Sequence, residues 1–352
     1  MNKLNVLTLA ACVSAALTMA APLSAPAADK IVISNWDGYM PEDLLSNFEK
    51  ATGIQAEHAV HATNEEIMGK VVASGGRGYD VLFVSSPFAE ALKQLQLAAP
   101  IDHSLIPNLR NLYAEAGQLG YDPGNTFSVP YAWGTTGLCY RADLVSGAPG
   151  SWEDLLSPQA DLRGKVTMLS TDRWLMAAGL LSLGYSVNEK DAARINEAGD
   201  LLIEAKRHLL SYDDTTFYSK LVSGEAALTH AWDGWCNYGI AENADIEYVI
   251  PREGTDLWVD TMVIVAGSEN REAAHRFIDY VLNAEVGAWV ASNILYKVPN
   301  KAAMDALDPA LFTQFPNLAM KPADLLRQEQ LRDLGETQKA YTRMVTKILS
   351  SR

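Results

Sequence analysis

Four short runs, Trp36-Asp37-Gly38-Tyr39, Ser86-Pro87-Phe88, Asp172-Arg173-Trp174 and Trp232-Asp233-Gly234-Trp235, follow apolar stretches that read as buried strands. Each sets aromatic side chains beside polar ones at the carboxyl end of a strand, where open α/β sheets bind ligands. The competing reading of the first run is that Trp36 and Tyr39 only cap the sheet edge. The equipment for turnover is missing. The six histidines stand apart, at 58, 61, 103, 208, 230 and 275, with no nucleophile elbow, no His-Glu-x-x-His and no Cys–His pair that can be placed. The adjacent acids Glu65-Glu66 and Asp213-Asp214 read as solvated faces. His58 and His61 have a spacing that suits a metal, but no acid or cysteine completes a ligand set. Neither a metal nor another cofactor is expected, and the pattern points to binding.

The elements that must position these runs alternate. Ile31–Ile33 is a strand, and Glu42–Ala51 a helix that Gly53 closes. Residues 54–60 make a strand, and Asn64–Ala73 a helix capped by Thr63 or Asn64 with Glu66 in reach. Tyr79–Val84 is a strand and Ala89–Leu97 a helix. Strands alternating with helices argue a parallel α/β sheet. Phe127–Arg141 breaks that grammar, being long and extended with Pro and Gly interruptions, as does Leu257–Val265. Between them the pattern restarts, with a strand at Gly164–Leu169, helices through Leu183 and over 191–209, and a strand at Ala226–Ala231. A long helix is expected over Asn270–Ala291, and the last forty residues read as helical. Two α/β units joined by two extended crossings describe a hinged clamp.

The 352 residues suit two domains, and the hydrophobic (48%) and charged (20%) fractions suit a globular protein. A net charge of −15 argues against a nucleic-acid partner. Lys3, the apolar stretch Leu4–Ala21 and Ala25-Pro26-Ala27 have the form of a cleaved secretory signal over residues 1–27. Leu9-Ala10-Ala11-Cys12 also resembles a lipobox, but the apolar run continues past Cys12, so a cleaved signal is preferred to a lipid anchor there. Of the cysteines that remain, Cys139 and Cys236 are expected to be buried free thiols, with a bridge between them as the alternative.

Seven motifs in register carry a resemblance. They are Asn35-Trp36-x-x-Tyr39; Tyr79-Asp80-Val81; Val129-Pro130-Tyr131-x-Trp133-Gly134; Leu183-Gly184-Tyr185; Trp232-x-Gly234; Pro251-x-Glu253-Gly254 with Trp258-x-Asp260; and Tyr296 with Pro299-Asn300. In this the chain resembles the polyamine-binding group of bacterial periplasmic solute-binding proteins, the spermidine- and putrescine-binding components of ABC importers. The resemblance implies an α/β periplasmic-binding-protein fold of type II, each lobe a mixed sheet flanked by helices, with two hinge crossings. The lobes expected are 28–133 with 260–301, and 134–259 with 302–352. It also implies a monomer in the periplasm that delivers a small amine to an inner-membrane permease and catalyses nothing. An exported enzyme and a ligand-presenting partner of a membrane receptor are the readings from other classes.

Carried over position by position, the resemblance puts Trp36, Tyr39, Ser86, Phe88, Trp232, Trp258, Asp260 and Tyr296 around the ligand. An alkylammonium over Trp or Tyr gains about 0.5–2 kcal/mol per contact, and Asp260 would supply the charge-assisted hydrogen bond. Relatives carry further acids where this chain has Gly38, Trp174 and Trp235; Asp37 and Asp172 stand nearby. Fewer carboxylates and more tryptophan suit a short ligand with one strongly held cationic end. One candidate is a short diamine such as putrescine, its second amine on Asp37 or Asp172. The other is an ω-amino acid, γ-aminobutyrate or 5-aminovalerate, its carboxylate on Arg173. A structural role for Arg173 is the alternative.

Overall fold

The computed structural model describes residues 30–351. The signal segment, its cleavage site and Cys12 lie outside the described residues. The first unit begins with β1 (Lys30–Asn35), α1 (Leu44–Thr52), β2 (Gln55–Val60), α2 (Asn64–Ser74), β3 (Val81–Ser85) and α3 (Ser86–Gln94). Gly53 ends α1 in the left-handed region, and Thr63 caps α2 by accepting the Glu66 N–H. β1 pairs in parallel with β2 and with β3. Residues 103–117 form three short 3-10 turns.

β4 (Val129–Arg141) then leaves this unit. Through Thr135 it pairs antiparallel with β9 (Asp256–Ile264), and from Thr136 it pairs with β7 and β8 of the second unit. The second unit holds α4 (Trp152–Leu156), β5 (Val166–Met168), α5 (Asp172–Ser182), α6 (Ala192–Lys206), β6 (Leu209–Tyr212), α7 (Phe217–Ser223), β7 (Leu228–Trp232), α8 (Asp233–Glu242) and β8 (Ile246–Val249). The order across the continuous sheet is β2-β1-β3-β9-β4-β7-β5-β6. Each half mixes parallel and antiparallel pairs and is flanked by helices, which is the two-lobe architecture expected. β9 lies between β3 and β4, so the chain returns to the first lobe through the centre of its sheet.

Three features differ from expectation. The helix over 270–291 is two, α9 (Arg271–Val281) and α10 (Ala284–Ile294), because Asn283 turns its side chain to the N–H groups of Glu285 and Val286 and starts a new helix. The C-terminal stretch, expected to be helical and in the second lobe, is divided. α11 (Lys301–Asp305) packs on α10, α12 (Pro309–Gln314) and α13 (Pro322–Leu325) follow, and the short strand β10 (Glu329–Gln330) pairs with β9. Only α14 (Gln338–Ser350) packs on α5 and α6. Finally, Cys139 and Cys236 are disulfide-bonded across Cα atoms 5.8 Å apart, correcting the expected free thiols. α8 packs on β4, which brings the two residues within bridging distance although 97 positions separate them.

Candidate ligand-binding site

Asp260 lies mid-strand in β9, opposite Ser85 of β3 and Ala132 of β4. Trp258 lies opposite Gly134, and Trp232 opposite Thr136. Alternate residues of a strand share a face, so Asp260, Trp258 and Trp232 succeed one another along one side of β4 at steps of roughly 7 Å. The opposite side carries Leu82, Val84, Trp133, Leu257 and Val259 in a separate apolar cluster. One strand thus carries the row from the first lobe into the second.

Two hydroxyls grip the carboxylate. Ser85 Oγ donates to Oδ1 at 2.6 Å and the Tyr39 hydroxyl to Oδ2 at 2.8 Å. Asn64, the first residue of α2, fixes Ser85 by donating to its Oγ at 3.2 Å and accepting its N–H at 3.0 Å. Tyr131 fixes Tyr39 by donating to its carbonyl at 2.7 Å. A β-bulge between Pro130 and Ala132 accompanies the turn of Tyr131 onto this face. The rings form an edge-to-face chain: Trp36–Tyr39 at 5.5 Å, Tyr39–Tyr296 at 5.4 Å and Tyr296–Trp258 at 5.5 Å between centroids. His61 backs Trp36 at 4.8 Å and is fixed by Ser34 Oγ at 2.8 Å. Burial lowers the His61 pKa to about 4, so it stays neutral at pH 7. Gly38 has φ +67°, a conformation that glycine adopts freely and most side chains resist. Gly234 touches Tyr296 so closely that a Cβ would meet its ring at 2.3 Å.

Three acids lie near the junction of the lobes, and their electrostatics differ. Burial raises the Asp233 pKa to about 7, opposed by N–H donors from Thr135 and Gly234 and by the charge of Lys297. Lys297 is itself lowered to about 7 by burial and held up by Asp233, and it donates to the Met320 carbonyl. Burial raises Asp256 to about 6, opposed by the Thr136 and Thr255 hydroxyls and by the charge of Arg173. Asp260 is also raised to about 6 by burial, but only the Ser85 and Tyr39 hydroxyls oppose the rise. Among the described residues no Lys, Arg or His forms an ion pair with it.

Of the residues singled out in the sequence, Trp36, Tyr39, Trp258, Asp260 and Tyr296 come together. Trp174 and Trp232 meet at 5.6 Å on the second lobe. Asp37 is exposed. Asp172 is partly buried, accepts from Thr342 Oγ1 at 2.6 Å, and has its pKa raised by burial. Its charge adds to the desolvation that raises Glu65 at the start of α2 on the other lobe. Four expectations are corrected. Ser86 donates to the Leu331 carbonyl, and its neighbour Ser85 holds Asp260, because β3 ends at Ser85 and Ser86 already begins α3. Phe88 packs on the opposite apolar cluster. Trp235 joins Phe217, Tyr218 and Tyr238 in an aromatic group of the second lobe. Arg173 is buried and donates to the carbonyls of Arg332 and Val187 and to Asn188 Oδ1, at 2.6, 3.2 and 2.7 Å, and its guanidinium lies over the Tyr341 ring. Those acceptors take the place of the ligand carboxylate envisaged for it. Ser85, Asn64, Tyr131 and Glu65 were missed; the odd-numbered parity of Val81, Phe83 and Ser85 was the available signal for the first.

The profile of the family described as bacterial extracellular solute-binding protein matches residues 43–319. The putrescine/cadaverine-binding protein of Pseudomonas aeruginosa is 31% identical over 348 residues, 95% of this chain and 97% of that one. The spermidine/putrescine-binding periplasmic protein 1 of Haemophilus influenzae is 31% identical over 316 residues, 89% and 86% of the two chains. Among solved structures, a putative spermidine/putrescine ABC transporter from Listeria monocytogenes superposes with a TM-score of 0.85 at 28% identity, covering 92% of this chain and all (100%) of that one.

Proposed function

We propose that this chain, which belongs to the bacterial extracellular solute-binding protein family, captures a short polyamine of the putrescine class and clamps it between its lobes with one ammonium on Asp260. It is the substrate-binding component of an ABC transporter, and its family is one of binders. The cleaved signal, the periplasmic address, the monomeric state and the partner permease complete the proposal.

The observation that carries the ligand reading is the charge balance at the junction. Among the described residues neither Asp233 nor Asp256 forms an ion pair, but the charge of Lys297 acts on the first and that of Arg173 on the second, whereas Asp260 has only neutral hydroxyl donors. A half-buried, partly desolvated carboxylate without a cation is open to one from outside, and an alkylammonium supplies it. Trp36 and Trp232, both half-buried, then offer ring surface to the ammonium and to a short methylene chain, backed by the buried rings of Tyr39, Tyr296 and Trp258. For a second amine, the carboxyls available are Asp172 on one lobe and Glu65 on the other, near enough for the charge of Asp172 to raise Glu65, with exposed Asp37 next to Trp36 in sequence. The names of the relatives, which bind putrescine, cadaverine or spermidine, support the same class.

Titration calorimetry with putrescine, cadaverine, spermidine and γ-aminobutyrate tests this. Binding of the two short diamines is expected, with spermidine weaker and γ-aminobutyrate inert. Binding of spermidine alone would sink the short-ligand reading.

A further inference from the structure

We propose that residues 329–334 form a strap that sets how readily the two lobes close, anchored by Glu90 on the first lobe and by Arg173 with Asn188 on the second. The inference rests on the reading that the lobes clamp a solute, and it concerns residues far from the ligand.

β4 and β9 are the two crossings visible in the sequence. The strap is a third, built differently. At its start β10 pairs with β9, and the Leu331 N–H donates to the Leu257 carbonyl at 3.0 Å. On the second lobe the Val187 N–H and Asn188 Nδ2 donate to the Glu329 carboxylate, at 2.9 and 3.1 Å, and Asn188 Nδ2 also reaches the Gln330 carbonyl at 2.8 Å. On the first lobe Ser86 Oγ donates to the Leu331 carbonyl at 3.2 Å and Gln94 Nε2 to Asp333 at 2.9 Å.

Arg332 is the node between the sides. Its Nε and Nη2 donate to Glu90 Oε1 at 2.9 and 2.5 Å, and the next N–H, of Asp333, donates to Oε2 at 2.8 Å. Its own N–H donates to Asn188 Oδ1 at 2.9 Å, and its carbonyl accepts from Arg173 Nη1 at 2.6 Å. One residue is therefore bonded by its side chain to α3 and by its backbone to the second lobe. A rotation of one lobe against the other must bend or shear that node. Both anchors adjoin the candidate site in sequence: α3 begins immediately after Ser85, which holds Asp260, and Arg173 stands between Asp172 and Trp174. The strap thus ties lobe position to site geometry without touching the ligand.

The test labels exposed positions on the two lobes, Val60→Cys and Leu144→Cys, for pulsed dipolar distance measurement with and without putrescine. Glu90→Ala and Asn188→Ala are each expected to widen the ligand-free distance distribution and to weaken putrescine binding three- to tenfold, chiefly in the dissociation rate. Because both cut one strap, the double variant should be no weaker than the worse single one. Unchanged distances and affinity in both variants, or fully additive losses, overturn the proposal. Should Glu90→Ala not fold, Arg332→Ala removes the same ion pair through a side chain 43% exposed. If the unmutated protein binds no putrescine, the ligand reading fails while the ligand-free distances still decide the strap.

Discussion

Asp260 and Arg173 are charged side chains set into the protein on opposite sides of the same junction, and their surroundings are opposite in kind. Arg173 is met by two carbonyls, an amide oxygen and an aromatic ring. Its charge is spread over groups that the fold itself supplies, and its partners tie α5 to the loop after it and to the strap. Asp260 is met by two hydroxyls, held in place by Asn64 and Tyr131, and by no cation among the described residues. Arg173 is buried, and Asp260, half-buried, keeps part of its carboxylate toward the junction of the lobes. The difference is whether the protein completes the electrostatics: a completed charge is architecture, and an uncompleted one is an invitation to a ligand of opposite sign.

Asp260→Asn should break that contrast most. Putrescine affinity should fall about 100-fold or more, the usual range for removing one partner of a buried charged pair being 2–5 kcal/mol. The melting temperature of the ligand-free protein should not fall, because the substitution relieves an uncompensated charge. Calorimetry and a thermal melt together check this, and a lowered melting temperature with unchanged affinity would make Asp260 the structural residue of the two. Arg173→Ala should do the reverse, costing on the order of 3 kcal/mol of stability through orphaned buried acceptors, with an affinity loss no larger than that of the strap variants.

The pH dependence sharpens the same contrast. The Asp260 pKa is raised to about 6 in the ligand-free protein. Its share of folding stability is thus fully present below the unfolded value near 4 and lost as pH rises through about 6. A bound ammonium prefers the ionised form, so putrescine affinity should be level above pH 6. It should fall by about tenfold per unit below it, with proton release on binding near pH 6. That slope should vanish in Asp260→Asn. The smallest effect separates two adjacent serines: Ser85→Ala should weaken putrescine binding several-fold, about 1 kcal/mol, and raise the pH below which affinity falls, whereas Ser86→Ala, which touches only the strap, should leave that pH unchanged and cost no more affinity than Glu90→Ala.

Much of the fold was legible because its signals are local. Gly53, Thr63 with Glu66, and the apolar runs at 31–33 and 81–84 declare their elements within a few residues, and the extended grammar of 127–141 and 257–265 marks the two strands that join the lobes. Trp36, Tyr39, Trp258, Asp260 and Tyr296 were legible as motifs in register. The failures are non-local or turn on one residue of phase. Arg173 finds its carbonyl partners 14 and 159 positions away, so nothing beside it in the chain shows that it is already satisfied. The disulfide joins positions 97 apart. Ser85 and Ser86 are chemically alike, and only the side on which β3 ends separates them. Asn283 sits inside an apolar periodicity that continues across it, so a helix cap reads as a helix interior.

The central place of β9 bears on how the chain is made. The first lobe lacks a strand between β3 and β4 until residue 264 has been synthesised. The second keeps the faces of α5 and α6 uncovered until Tyr341, Met344, Val345 and Ile348 of α14 arrive. Neither lobe can therefore complete its core during most of translation, since its closing contacts are long-range. For the export proposed above, late closure of both cores suits passage through a membrane pore before folding on the far side.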